Sequence, residues 1–78
     1  NETTSSSVQE QLYLDYTRLE KEVEKVQLEI DILAKYMRLY PIIVDKISCC
    51  ILDAKRYLKS LQSEITVLNK LIACVSKN

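Results

Sequence analysis

The residues best equipped for chemistry in this chain are three cysteines, five tyrosines and a run of carboxylates. Cys49 and Cys50 are adjacent, and Cys74 stands apart. Neighbours on a helix point about 100° apart, so a disulfide within the pair would strain the backbone. Their main reading is as small hydrophobes that fill core space, with S-acylation and interchain disulfides as the chemical alternatives. None belongs to a Cys-x-x-Cys pair and the chain has no histidine, so neither a metal site nor any other cofactor is expected. Glu20, Glu22, Glu24, Glu29 and Asp31 read as a solvated helix surface rather than a converging acid/base pair. The tyrosines, at 13, 16, 36, 40 and 57, suit half-buried helix interfaces, where a ring packs and its hydroxyl stays wet. Asn1-Glu2-Thr3 matches the N-glycosylation sequon, which has meaning only outside the cell. No arrangement of these groups makes a catalytic site, and enzyme activity is not expected.

The elements that would carry these residues are helical. The chain has 78 residues, no glycine and one proline, so it lacks the usual means of making left-handed turns or phosphate-cradling loops. It amounts to at most one small domain, which struggles to make a large private core. Its formal charge is zero, but residues 1–39 carry five basic and eight acidic side chains, and residues 40–78 carry six basic and three acidic. No basic block interleaves with aromatic residues, which argues against nucleic acid as a partner. The apolar runs, such as Ile42-Ile43-Val44, fall far short of the roughly 20 residues that span a bilayer. The opening residues carry no signal-peptide pattern. An odd cysteine count without a framework fits a reducing compartment. The expected location is therefore intracellular, with the cytoplasm ahead of the nucleus.

An a/d seam runs through nearly the whole sequence. It reads Leu12, Tyr16, Leu19, Val23, Val26, Ile30, Leu33, Met37 and Tyr40. It continues through Val44, Ile47, Ile51, Ala54, Leu58, Leu61, Ile65, Leu68, Ile72 and Val75. The spacing alternates three and four residues without a slip, the pattern of a supercoiled helix whose seam another helix covers. These positions are the expected partner-binding residues. Residues 1–6 are polar and expected to fray. Ser7 and Glu10 have capping-box spacing, which places the helix start near Val8 within a coiled-coil domain covering 7–78.

Pro41 leaves two topologies open, with the kink or turn near 39–42. Proline suits the first turn of a new helix, which favours an antiparallel hairpin, as do the opposite charges of the two halves. Yet the segment from Met37 to Ile43 has no Gly, Asn, Asp or Ser to make a turn, and the seam keeps its phase from Tyr40 to Val44. Those two points lean the reading toward a single helix about 100 Å long, kinked at the proline. The fold class is all-α coiled coil in either case.

The apolar stripe is wider than a two-stranded coil needs. Ile43, Cys50, Tyr57 and Leu71 sit at g positions, Leu52, Val67 and Cys74 farther round, and Leu28, Ile32 and Leu39 on the far face of the first half. Such width implies a multi-helix bundle. Asp15, Glu20, Glu22 and Glu29 occupy e and g positions of the first half with no basic residue among them. In a parallel homodimer these acids would face one another, so they are expected to select a different chain with basic flanks.

The stretch Tyr36-Met37-Arg38-Leu39-Tyr40-Pro41-Ile42-Ile43-Val44-Asp45-Lys46-Ile47 resembles a Tyr-x-x-Leu-x-Pro-aromatic/aliphatic segment. That segment lies mid-chain in the small helical subunits of snapin-type complexes for lysosome-related organelle biogenesis. The rhythm from Asp53-Ala54-Lys55-Arg56 through Leu68-Asn69 is similar to their later helix, and Ile42 stands where an aromatic is frequent. Kinetochore and spindle coiled-coil subunits share the same general character. The resemblance implies an elongated multi-subunit scaffold that works on endosomal or lysosomal membranes from the cytosol. The expected function is thus a non-catalytic, hetero-oligomeric coiled-coil subunit. Its partners are other helical chains, with no small-molecule substrate and with membranes only indirectly. The alternatives are a membrane-tethering or fusion module, with Cys49-Cys50 near lipid, and an extracellular or viral stalk.

Overall fold

The fold, a computed structural model, describes the backbone of residues 2–76 and the side chains of 7–76. Two helices account for almost all of it: α1 (Glu2–Leu39) and α2 (Val44–Ser76), joined by a short 3-10 turn at Pro41–Ile43. The described residues contain no strand. Asn1 and the side chains of 2–6 lie outside the description, and with them the sequon. Backbone helix is present from Glu2, ahead of the expected start near Val8, so Ser7 lies inside α1 rather than at its cap. Once a helix is nucleated each further residue adds a hydrogen bond at low cost, and nothing in Glu2–Ser7 resembles a breaker.

The two helices run antiparallel, as a hairpin 60 × 14 × 13 Å over its Cα atoms. A 38-residue helix alone is about 57 Å long at 1.5 Å per residue, so one arm accounts for the whole length. The lean toward a single kinked helix is therefore overturned. Two contacts far apart in sequence show the reversal: Gln9 Nε2 donates to Ser76 Oγ at 3.1 Å, and the Tyr57 hydroxyl donates to Glu22 Oε2 at 2.8 Å.

The corner explains why the sequence leaned the other way. It uses no left-handed residue; no described residue has a positive φ. One residue, Tyr40, leaves the helical region at φ −129° and ψ 72°. A proline clashes with helical geometry in the residue before it, so Pro41 itself turns Tyr40 out. Tyr40 N–H still bonds to the Tyr36 carbonyl at 2.8 Å, and Ile43 N–H bonds back to the Tyr40 carbonyl at 3.1 Å. Helical hydrogen bonding thus resumes at once, and Tyr36 and Tyr40 stack with ring centroids 6.0 Å apart. The four-residue step from Tyr40 to Val44 spans the corner and turns both seams inward, so the preserved phase is a product of the tight turn. Arg38 in the last turn of α1 and Asp45 in the first turn of α2 complement the helix dipoles at the break.

The seam closes on itself. Val26, Ile47, Leu61 and Leu68 are buried, and every other seam residue is partly buried except Tyr40 and Val44 beside the corner. The seam residues expected to bind a partner are thus covered first by the chain's own second arm. Among the described residues, no direct ion pair crosses the interface to carry the charge difference between the halves. Arg18–Asp15 and Arg56–Asp53 each pair within one helix at i,i+3.

Two measurements check this arrangement. Spin labels at Gln11 and Lys70, on a cysteine-free background, should lie within about 25 Å of each other, since packed helices are 8–10 Å apart and the labels add reach. A continuous helix would put them about 90 Å apart. Leu61→Ala should cost about 2–4 kcal/mol in urea unfolding, whereas Leu28→Ala, on the exposed back of α1, should cost well under 1 kcal/mol.

Candidate functional site

In an antiparallel pair the g positions of one helix face those of the other along one side, and the e positions line the opposite side. The contacts follow that rule. Glu22 and Tyr57, both g residues, are hydrogen-bonded, and Glu29 and Cys50 line a single groove. Asp15 and Glu64 line the next groove along, with Glu22 and Tyr57 between them. The hairpin therefore has two unlike long sides.

The g side, with the c residues next to it, is the apolar one. From α1 it presents Val8, Ile32, Tyr36 and Leu39 to solvent, from the 3-10 turn Ile43, and from α2 Tyr57, Val67 and Leu71. Only Tyr13 and Leu52 interrupt the e side, which otherwise carries residues such as Glu20, Gln27, Lys55, Gln62 and Asn69. Eight large exposed hydrophobics on one long side exceed what scattered surface residues require. One hollow on this side has a volume of about 570 Å³ and is lined by Glu29, Ile32, Leu33, Cys50, Asp53 and Ala54. It is shallow and largely apolar, with no converging set of polar groups of the kind that orients a small substrate.

Acids mark the middle of this apolar side. Asp15 is half-buried and pairs with Arg18; Glu22 is half-buried and accepts from Tyr57; Glu29 and Glu64 are exposed. The Tyr57 hydroxyl is held above its ordinary pKa of 10.0, chiefly by its hydrogen bond to Glu22. Desolvation adds to this, as do the negative charges of Glu22, Glu29 and Glu64. The charges of Glu22, Glu29 and Glu64 thus act on this hydroxyl in the same direction as the hydrogen bond.

Of the four charges expected to select a partner, Asp15, Glu22 and Glu29 fall together on the apolar side. Glu20 falls on the other, beside Val23, Glu24 and Ile65. Glu64 joins the acidic set from α2, which a parallel-dimer reading could not bring opposite Asp15. Its signal was present in the sequence as a g-position acid. All three cysteines are exposed and free, so the expectation that they fill core space is corrected. Their g, f and c positions lie off the a/d seam that the second arm covers. Cys50 instead forms part of the groove wall. Among the described residues, no helix is long and apolar enough to cross a membrane, and no group of three or more His, Cys, Asp or Glu could hold a metal ion.

The Tyr57–Glu22 bond gives a pH signature. Because the fold favours the protonated ring, that contribution is complete below pH 10 and is lost as pH rises through the higher folded value. The ultraviolet titration difference between the parent chain and Tyr57→Phe should place the Tyr57 hydroxyl above its ordinary 10.0, with Glu22→Gln lowering it. A Tyr57 step at its ordinary value would contradict the contact. Tyr57→Phe should lose less stability than the parent chain as pH rises above 10.

Compared with known proteins, the chain matches no family model, no curated protein and no solved structure.

Proposed function

We propose that this chain is a non-catalytic assembly subunit, a helical hairpin that joins other helical chains in a hetero-oligomeric intracellular scaffold through its apolar g side. The observation that carries this reading is the asymmetry of the two long sides. The seam is already covered within the hairpin, yet eight large hydrophobics remain exposed along a single edge. A further helix laid in that groove would complete a bundle of three or more helices, in keeping with the width of the apolar stripe. Stability argues the same way. Only Val26, Ile47, Leu61 and Leu68 are buried among the described residues, a thin core for two helices of this length.

Charge favours a different chain over a second copy. Two-fold pairing of hairpins in register through the g side sets acid against acid. In a parallel arrangement α1 of one copy faces α2 of the other at the same level, so Asp15 meets Glu64. In an antiparallel one Glu22, near the midpoint of α1, still meets Glu22, and Asp15 with Glu64 meets Glu29. A partner helix with lysine or arginine beside its apolar stripe removes that conflict. The likeness around Pro41 to snapin-type subunits, and the general likeness to kinetochore coiled coils, agree with such a role. The cytoplasm is the proposed setting, with the nucleus second, and neither nucleic acid nor a small-molecule substrate has a place in the scheme.

Site-specific photocrosslinking in the source cell, followed by reconstitution with the chain it identifies, tests the proposal. A crosslinker at Ile32 or Val67 should capture a helical partner, and one at Gln62 or Lys59 should not. Ile32→Glu with Val67→Glu should weaken the reconstituted complex at least tenfold in sedimentation, about 1.4 kcal/mol or more. Equal capture from both sides, or a purified chain that forms a saturated homo-oligomer by itself, would sink the idea.

A further inference from the structure

The corner end of the rod has a composition unlike either long side. From Leu39 to Val44 the sequence is Leu-Tyr-Pro-Ile-Ile-Val, six residues with no charge, and all six are exposed. Ile42 projects at the extreme, 95% exposed, with Leu39 and Tyr40 more than half exposed beside it. Directly behind this tip stand Lys35, Arg38 and Lys46, while Asp45 is the only acid among residues 35–46. The Lys35 ammonium lies 5.8 Å from the centre of the Tyr36 ring, and Tyr36 in turn stacks on Tyr40. The order from the tip inward is therefore aliphatic, then aromatic, then basic.

A protein partner fits this end poorly. The rod is only 14 × 13 Å across its Cα atoms, and an end-on footprint of that size is far below the roughly 1,000 Å² a specific protein interface needs. The tip is also convex, whereas apolar sites for other molecules are concave. A bilayer has neither requirement. Its interface admits a narrow apolar wedge, places tyrosine rings at headgroup depth and draws basic side chains to lipid phosphates.

We propose that the Leu39–Val44 corner is a direct contact with anionic bilayers, in which Ile42 and Ile43 enter the headgroup–acyl boundary while Lys35, Arg38 and Lys46 engage lipid phosphates. This proposal departs from the expectation that membranes are met only indirectly. The contact uses the end of the rod; Leu39 and Ile43 belong to both surfaces, but the g side beyond them, with Val8, Ile32, Tyr36, Tyr57, Val67 and Leu71, stays free for a helical partner, and neither proposal depends on the other. Affinity through one small tip is modest, of the order of a single myristoyl chain, about 10⁴ M⁻¹. Several hairpins in one scaffold would add their tips by avidity.

Vesicle flotation of the purified chain at millimolar lipid tests this. The chain should float with vesicles of phosphatidylcholine and phosphatidylserine and remain largely unbound with phosphatidylcholine alone. Ile42→Asp should reduce binding about tenfold, and its circular dichroism should match the parent because the side chain packs against little. Lys35→Glu with Arg38→Glu should abolish the preference for anionic lipid. Leu28→Asp, at another exposed aliphatic position on the back of α1 and away from the tip, should leave binding unchanged. No flotation with anionic vesicles, equal binding to neutral ones, or insensitivity to Ile42→Asp would each overturn the proposal and leave the g-side reading untouched.

Discussion

The constraint on which this structure rests is the clash between a proline ring and the residue before it. Without Pro41, the sequence from Val8 to Val75 would have no reason to stop being one helix, and its seam would have to find another molecule. With it, Tyr40 leaves helical geometry for a single residue, and the resumed helix returns along the first. Everything else follows from that reversal. The seam becomes internal, the g positions of both arms come to one edge, and six uncharged residues are left at the far end. A change of one backbone angle pair thus decides which surfaces the chain keeps and which it offers.

Much of the fold could be read before any coordinates. The alternation of three and four between Leu12 and Val75 identified the residues that the arms cover, and Val26, Ile47, Leu61 and Leu68 are at its centre. Period is a local property, and local properties survive in sequence. Direction does not. The corner lacks the glycine or asparagine that normally advertises a turn, because it needs no positive φ, and so its strongest sign was read as a kink. The same gap hid the pairing of the two g edges. Asp15 and Glu64 are far apart in sequence and become neighbours only when the arms run opposite ways. The place of Ile42 at the tip of the rod was equally invisible, since an f-position isoleucine in a straight helix is just one more apolar residue on its back.

The polar contacts between the arms are few, and they serve orientation more than stability. Gln9–Ser76 ties the arms together far from the corner, and Tyr57–Glu22 ties them in the middle of the apolar side. Both are exposed, so water competes with them and each adds little net free energy. What they do is fix register. A hairpin held only by leucine and isoleucine could slide by a heptad with modest loss, because one layer of aliphatic side chains resembles the next. A tyrosine hydroxyl that finds one particular carboxylate makes the slipped states poorer. The acid that holds the Tyr57 hydroxyl above its ordinary pKa is therefore also the one that marks where the second arm must stop.

The antiparallel closure also orders the hairpin in time. Pairs near the corner are separated by only a few residues, Glu22 and Tyr57 by 35, and Gln9 and Ser76 by 67. Loop-closure entropy rises with that separation, so contacts form most cheaply at the corner and each closed layer shortens the loop for the next. Folding then proceeds as a zipper, and opening begins from the end where Gln9 meets Ser76. The rod is thus graded along its length: firm where it meets the corner, readily parted at the other end of its 60 Å long axis. A helix arriving at the parting end would find its binding site still assembling, and would close the zipper as it docked.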